Sequence, residues 1–245
     1  MTEIKDFYES GKGDRLIDPL LFPEEIKQFL ICEKRILEAL ADSFDLLVEV
    51  GSMYGRYLKW AVGNGKCYFG IDVVERYIEA GRKIILDSQL DPIKYRFVLG
   101  GAENITELVR PDEWSVKPNR CILFFPFNSF GNMNNPLTVI RGIRKSGLPF
   151  LISTYGTSEE INICREKYYK NCGYSKIISI QDKKGVRFTS PDGLNTIAYH
   201  LDYLQNAFVA NDLKVTVIPF SKMGMAFVSS ELAEKIVSAL PQNKS

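Results

Sequence analysis

Short apolar runs alternate with amphipathic stretches along most of the chain. The runs show no helical periodicity and have the length of strands that are buried on both faces of a parallel sheet. They occupy residues 46–50, 67–71, 95–99, 121–125 and 149–154. The segments between them place apolar residues at helical intervals, as crossover helices do. The pattern therefore predicts an α/β domain with a parallel sheet and helices on both faces.

Two parts of the chain depart from this alternation. Before the first strand, Pro23 opens a helical stripe over residues 26–40, so we predict an N-terminal helical segment over residues 1–43. Later, residues 177–180, 186–189 and 194–199 form short strands around a Pro-Asp-Gly turn. They predict a small antiparallel β insertion at about residues 175–199.

Composition narrows the class of protein. The 245 residues suit one large α/β domain with a helical addition, and 45% hydrophobic with 25% charged residues is typical of a soluble globular protein. A net charge of +1 gives no general attraction to nucleic acid or to an anionic membrane. The N-terminal residues lack the pattern of a signal peptide, so we expect a cytoplasmic protein.

Metal and disulfide chemistry have little support. The five cysteines include no C-x-x-C pair, and the chain has a single histidine, His200. Zinc sites of the usual spacing are therefore excluded, no bound metal is expected, and the odd number argues against a disulfide framework.

The first strand leads into a turn with two glycines, Gly51 and Gly55, and the next strand ends at Asp72, 17 residues beyond Gly55. Strand, glycine turn and helix form the first half of a nucleotide-binding unit, in which an acid at the end of the second strand accepts hydrogen bonds from ribose hydroxyls. Met53 replaces the glycine that a dinucleotide fold places against pyrophosphate, and no lysine follows as in a phosphate loop. The acid Glu49 instead precedes the turn, which favours a cationic ligand.

The spacing Glu49-x-Gly51-x-x-x-Gly55 with Asp72 beyond it resembles the first two motifs of class I S-adenosyl-L-methionine-dependent methyltransferases. Met53 departs from that pattern, because the family commonly has glycine there. The resemblance implies a seven-stranded Rossmann-like sheet over residues 44–245, whose last strands, 214–218 and 225–229, pair antiparallel. It also implies a cofactor site, whose first contacts are Glu49, Gly51, Ser52, Met53, Gly55, Asp72 and Val73.

Further cofactor contacts follow from the same resemblance. After the third strand, Gly101, Ala102 and Glu103 flank the adenine, although Glu103 or Asn104 can equally cap the next helix. After the fourth, Phe125, Pro126 and Phe127 line the cofactor. Tyr8 is either a lid residue over the cofactor or a structural tyrosine.

The sequence Pro-Phe-Asn-Ser-Phe-Gly at residues 126–131 resembles the loop after strand four in small-molecule methyltransferases. It differs from the Asp/Asn-Pro-Pro-Tyr/Phe tetrad of the nucleic-acid amino-methyltransferases. The resemblance therefore implies a small-molecule acceptor and no nucleic-acid partner, and the protein is expected to be a monomer or homodimer.

Methyl transfer needs mainly positioning of donor and acceptor. His200 is a candidate general base, although a structural role is the alternative, and Tyr155 and Asn128 are candidates for orienting the acceptor. The leading hypothesis is N- or O-methylation of a small molecule. Its rivals are an NAD-dependent Rossmann oxidoreductase and a non-catalytic protein that binds S-adenosyl-L-methionine.

Overall fold

A computed structural model describes the backbone of residues 2–239 and the side chains of residues 5–236. A seven-stranded sheet with the order β3-β2-β1-β4-β5-β10-β9 lies at its centre. Its strands are β1 (Leu46–Val50), β2 (Cys67–Asp72), β3 (Tyr95–Leu99), β4 (Cys121–Phe125), β5 (Phe150–Tyr155), β9 (Val215–Phe220) and β10 (Gly224–Ser229). Residues 240–245 of the predicted domain lie outside the described residues.

Helices cover both faces of this sheet. They are α1 (Thr2–Glu9), α2 (Glu24–Ala39), α3 (Leu58–Gly63), α4 (Glu75–Asp87), α5 (Ile105–Leu108), α6 (Pro136–Ser146), α7 (Glu159–Asn171), α8 (Leu201–Val209) and α9 (Ser230–Ala239). The sheet separates two apolar cores, one on each face. Side chains of β1 alternate between them, with Leu47 in one core and Val48 in the other. Among the described residues, no helix combines the length and apolar character needed to cross a membrane.

The sheet reverses its strand order at β1. This strand pairs parallel with β2 on one side, where Leu46 faces Cys67, and with β4 on the other, where Leu46 faces Cys121. β10 runs antiparallel between β5 and β9. The predicted seven-stranded sheet is confirmed, and the crevice between β1 and β4 is the place where open parallel sheets bind ligands.

A separate antiparallel sheet joins β6 (Ile178–Gln181), β7 (Gly185–Thr189) and β8 (Asn195–Tyr199), which confirms the predicted insertion. Gly185 allows β7 and β8 to approach each other closely, because a Cβ atom at this position would lie 2.0 Å from the carbonyl oxygen of Ala198. The insertion attaches to the large sheet through the loop after β4, where Asn128 Nδ2 donates to the Ile197 carbonyl at 3.1 Å.

The N-terminal helices have two different positions. In α2, Ile26, Phe29 and Leu37 are fully buried in the same core as the sheet, so this helix is an integral part of the domain. Lys5, Asp6 and Tyr8 of α1 instead line the cavity described below.

Two helix details differ from the sequence pattern. The apolar spacing of residues 74–86 predicts that Ile78, Ile84 and Ile85 all face inward, but Ile84 is 38% exposed while Ile78 and Ile85 are buried. The sequence pattern predicts a last crossover helix over residues 201–213, but α8 ends at Val209. The chain turns there, with Asp212 in the left-handed conformation and Leu213 bonded back to the Phe208 carbonyl.

Candidate functional site

A cavity of about 1050 Å³ lies at the carboxyl ends of β1 to β5. Most of the residues predicted to form the site line it. These are Tyr8, Gly51, Met53, Asp72, Val73, Gly101, Ala102, Glu103, Pro126, Phe127, Asn128 and Tyr155. Glu49, Ser52, Gly55, Phe125 and His200 do not line it.

The turn after β1 depends on left-handed backbone at three places. Gly51, Met53 and Gly55 have φ angles of 77°, 52° and 97°. Glycine adopts this conformation without strain, whereas a side chain at Met53 is disfavoured there. A Cβ at Gly51 would also lie 2.9 Å from the Cβ of Ser129. The backbone therefore keeps the shape of a glycine-rich turn, although methionine occupies the middle position.

The Asp72 carboxylate joins this turn to β2. One oxygen accepts a hydrogen bond from the Met53 N–H at 2.8 Å, and the other accepts from the Val74 N–H at 3.0 Å. Burial raises the pKa of Asp72 to about 6, so the group is mainly ionised at neutral pH. Each carboxylate oxygen retains lone pairs toward the cavity, which suits a ligand with two neighbouring hydroxyls.

Glu49 requires a correction, because it lies beneath the turn and not in the cavity wall. It is fully buried on the same face of β1 as Leu47, and its Oε2 accepts from the Tyr57 N–H at 3.1 Å and the Tyr68 hydroxyl at 2.6 Å. Burial raises the pKa of Glu49 to about 8. A largely neutral group that anchors the start of α3 does not supply the negative charge beside the ligand that the sequence suggested.

Three other predicted contacts, Ser52, Gly55 and Phe125, support the cavity wall without lining the cavity. Ser52 is buried and donates to the Met53 carbonyl at 3.3 Å. Gly55 leaves space for the Phe97 ring, because a Cβ atom at residue 55 would lie 2.7 Å from that ring. Phe125 is fully buried, with its ring 5.8 Å from that of Phe130. Their prediction as direct cofactor contacts is corrected to a supporting position.

Glu33 is an acid of this region that the sequence analysis missed. It projects from α2, is 1% exposed, and accepts hydrogen bonds from the Tyr57 hydroxyl and the Phe127 N–H, both at 2.7 Å. Burial raises its pKa. Its position in the apolar stripe of α2 was a detectable signal, because an acid on the buried face of a helix must have polar partners.

The loop after β4 contains two consecutive strained residues, Phe127 with φ 48° and Asn128 with φ 58°. Backbone in this region is uncommon away from glycine and is concentrated at functional sites. The Asn128 side chain accepts from the Thr154 hydroxyl at 2.5 Å and donates to Ile197. These bonds position the loop between β5 and β8 and occupy the groups that were candidates for orienting an acceptor.

Aromatic rings form the cavity wall at the ends of β4 and β5. Tyr155 lies 6.2 Å from Phe127 between ring centroids, and Tyr168 and Tyr169 of α7 line the same region. Burial raises the pKa of Tyr155 well above 10, so its hydroxyl stays protonated at neutral pH. It can donate a hydrogen bond but is unsuited to removing a proton.

The loop after β3 has little bulk toward the cavity. The Glu103 carboxylate folds over Gly101, where a Cβ would lie 2.7 Å from Glu103 Oε2. Ala102 is buried and lines the cavity. The Asn104 side chain forms no capping hydrogen bond to α5. The loop at residues 101–104 can therefore contact a flat ligand group.

Tyr8 is held in place through its ring, its hydroxyl and its backbone carbonyl. Its ring packs directly on Gly13, whose added Cβ would lie 2.1 Å from the ring, and its hydroxyl accepts from Asn132 Nδ2 at 3.1 Å. Arg76 of α4 donates to the Tyr8 carbonyl at 3.0 Å and forms a 2.6 Å ion pair with Asp14. These bonds fix the N-terminal segment against the cavity, which Tyr8 and Leu16 help to line.

His200 lies away from the cavity, contrary to its prediction as a general base. Nδ1 is 2.9 Å from the Thr157 hydroxyl, and Nε2 is 3.1 Å from the Asp182 carbonyl. Both ring nitrogens therefore connect the insertion to the end of β5, which is the structural alternative. Among the described residues, no group of three or more His, Cys, Asp or Glu side chains could hold a metal ion.

Comparison with protein-family models finds no match, and comparison with curated protein sequences finds none either. Solved structures do match. A SAM-dependent methyltransferase from Aquifex aeolicus superposes with a TM-score of 0.56 at 15% identity, covering 90% of this chain and 97% of its own. One from Clostridium acetobutylicum gives 0.54 at 9% identity, covering 80% and 88%.

A third match is 1,6-didemethyltoxoflavin-N1-methyltransferase from Burkholderia thailandensis, solved with 1,6-didemethyltoxoflavin and S-adenosylhomocysteine. Its TM-score is 0.50 at 12% identity, covering 80% of this chain and 76% of its own. At these identities the likeness concerns the fold. The chain has the class I methyltransferase fold, as its motifs predicted.

Proposed function

We propose that the protein binds S-adenosyl-L-methionine in this cavity and transfers its methyl group to a nitrogen or oxygen atom of a small molecule, with S-adenosyl-L-homocysteine as the product. The Asp72 carboxylate carries the proposal. It lines the cavity at the end of β2, fixed by two backbone N–H groups. An acid there is suited to ribose hydroxyls, whereas Met53 occupies the place where a diphosphate would need bare backbone.

The shape of the cavity supports a nucleoside and an acceptor together. The loop at residues 101–103 offers glycine and alanine surface for a base, and the Glu103 carboxylate can accept from an exocyclic amine. Phe127 follows β4 and Tyr155 ends β5, so they lie three and four strands away from that loop, on the other side of β1. A volume of about 1050 Å³ is at the upper end for one ligand pocket.

When bound, the cofactor supplies an electrophilic methyl group on a sulfonium, and displacement of that group depends mainly on geometry. The chain contributes a rigid β1 turn, an aromatic wall and an N-terminal segment that restricts water. No histidine lines the cavity among the described residues. We therefore expect an acceptor atom that is nucleophilic without a histidine base.

The remaining expectations follow from charge and composition. The net charge of +1 supports the absence of a nucleic-acid partner, and the loop at residues 126–131 supports a small-molecule acceptor. We further infer a cytoplasmic monomer or homodimer. The Burkholderia neighbour, solved with 1,6-didemethyltoxoflavin, supports a small acceptor.

Calorimetric titration with S-adenosyl-L-homocysteine and with NADH tests the proposal. We expect saturable binding of the first and none of the second, and the opposite result would establish the oxidoreductase alternative. Incubation of the protein with a cell extract and methyl-labelled cofactor tests turnover. A labelled small product supports an enzyme, whereas binding without any labelled product would indicate a non-catalytic binding protein.

A further inference from the structure

Arg56 is a cation in the cavity wall whose charge is not neutralised by a bonded acid. It follows Gly55, is partly buried, and its guanidinium carbon lies 4.6 Å from the centre of the Phe127 ring. Within the part of the chain that the structure describes, its guanidinium forms neither an ion pair nor a hydrogen bond. A planar guanidinium that stacks on a ring keeps its N–H edge for a planar anion.

The two buried acids near Arg56 are bonded elsewhere. Glu33 accepts from Tyr57 and Phe127, and the bonded oxygen of Glu49 accepts from Tyr57 and Tyr68. Burial also raises the pKa of Glu49 to about 8, so that this group carries little charge at pH 7. Arg56 is near enough to both acids to lower their pKa values, but its guanidinium is hydrogen-bonded to neither, so its N–H groups are available to an anion in the cavity.

A second guanidinium lies behind the same wall. Arg165 is fully buried, with its carbon 5.4 Å from the centre of the Tyr155 ring. Its Nη1 donates to Asn162 and to the Val186 carbonyl, whereas Nε and Nη2 have no hydrogen-bond partner among the described residues. The guanidinium also stacks on the Phe188 ring at 4.7 Å. A buried cation without a bonded acid adds positive potential to this end of the cavity.

The charges of the cavity are thus separated along the sheet. Asp72 and Glu103 lie at the ends of β2 and β3, whereas Arg56 stacks on the loop after β4, two strands or more away. The acidic end suits ribose hydroxyls and an exocyclic amine. The cationic end, walled by Phe127 and Tyr155, suits a flat molecule with an anionic group.

We propose that Arg56 forms a carboxylate-binding subsite and that the methyl acceptor is a small acid whose flat apolar part packs between Phe127 and Tyr155. The acceptor assignment rests on the proposed function, because that function places an acceptor beside the methyl donor. The amino-acid end of the cofactor carries a carboxylate of the same chemistry, so the experiment must separate these two sources.

The test measures binding by calorimetry to wild type, Arg56→Gln and the control Lys59→Gln. Lys59 is an exposed cation on the adjoining helix, so the control makes the same charge change outside the cavity. The ligands are S-adenosyl-L-homocysteine, 5′-methylthioadenosine, which lacks the carboxylate, and a panel of aryl carboxylates, each paired with its primary amide.

We expect a panel acid to bind wild type and Lys59→Gln more tightly than its amide, and Arg56→Gln to lose about 10- to 100-fold of that affinity. Both nucleosides should bind all three proteins equally. If Arg56→Gln instead weakens S-adenosyl-L-homocysteine but not 5′-methylthioadenosine, the subsite holds the cofactor carboxylate and the acceptor assignment is wrong. Equal binding of every ligand to Arg56→Gln and wild type, or no preference of wild type for any acid over its amide, overturns the subsite.

Two further measurements keep the outcomes distinct. Failure of wild type to bind either nucleoside would contradict the proposed function and, with it, the acceptor assignment. The carboxylate subsite would still be tested, since acid and amide can be compared without nucleoside. Thermal unfolding checks that Arg56→Gln folds. If Arg56→Gln does not fold, Arg56→Lys is used in its place. Lysine retains the positive charge but cannot form a bidentate pair with a carboxylate, so Arg56→Lys should bind the acid more weakly than wild type does.

Discussion

The Asp72 carboxylate accepts a 2.8 Å hydrogen bond from the backbone N–H of Met53, 19 residues earlier in the chain. This bond fastens the turn after β1 to the end of β2, so that two walls of the cavity are held as one unit. Hydrogen bonds to an ionised acceptor are stronger than neutral ones. The bond therefore helps to hold Met53 in its left-handed conformation.

Replacing Asp72 with alanine should weaken binding of S-adenosyl-L-homocysteine by about 1–3 kcal/mol. The variant loses the acceptors for ribose hydroxyls and also the bond that fixes the Met53 turn. Calorimetry gives the affinity, and urea unfolding gives the change in stability.

Asp91→Ala is the matched control. Asp91 also accepts from a backbone N–H, that of Ile93 at 2.8 Å, but it is exposed and does not line the cavity. The control should bind the nucleoside as wild type does. An unchanged affinity in Asp72→Ala would refute the assignment of Asp72 to the ribose.

Met53→Gly and Met53→Ala separate backbone strain from side-chain bulk. Both variants remove the side chain from the cavity, but only glycine adopts the φ of 52° without strain. We expect Met53→Gly to be more stable than Met53→Ala by roughly 0.5–1 kcal/mol in urea unfolding, after the greater entropy of unfolded glycine is included. Equal stabilities would show that the left-handed turn relaxes when the side chain is shortened.

The fold was predictable because each strand is a short apolar run and each crossover has helical spacing. β1 and β4 are buried on both faces, as central strands of a parallel sheet are, whereas β6 of the insertion is exposed along its whole length. The cavity residues at the ends of β1 to β4 followed from that sheet, since loops after parallel strands meet at one edge.

The direction of individual side chains was harder to predict. β1 alternates between two apolar cores, so its sequence does not say which face lies under α3. The motif therefore predicts a cavity position for Glu49, which is buried beneath the turn. Glu33 and Arg56 come from different elements and act through contacts that only tertiary packing creates. His200 was chosen for its chemistry, whereas its position is fixed by contacts of the insertion with Thr157 and Asp182.

Replacing His200 with glutamine should leave nucleoside affinity within about two-fold of wild type and lower stability by about 1 kcal/mol or less, because only its hydrogen bonds to Thr157 and Asp182 are lost. Incorporation of labelled methyl groups into small molecules of an extract should continue. A large loss of turnover together with a flattened pH–rate profile would restore His200 as the general base.

Glu49 should make the free energy of unfolding depend on pH. Its pKa rises from 4.5 to about 8 on folding, so between these values the folded protein keeps a proton that the unfolded chain has released. Its contribution to the free energy of unfolding therefore falls as pH rises from about 5 to about 8, by at most about 1.4 kcal/mol per pH unit, and levels off above.

Glu49→Gln removes this titration while keeping an oxygen that can accept from Tyr57 or Tyr68. Urea unfolding at pH 5, 6.5 and 8 should show the variant gaining stability relative to wild type as pH rises. Glu79→Gln makes the same change at an exposed position of α4 and serves as the control. Its free energy of unfolding should change with pH as that of wild type does. A difference between Glu49→Gln and wild type that is constant across this range would mean that Glu49 is ionised in the folded protein, and its buried charge would then have to be balanced by Arg56.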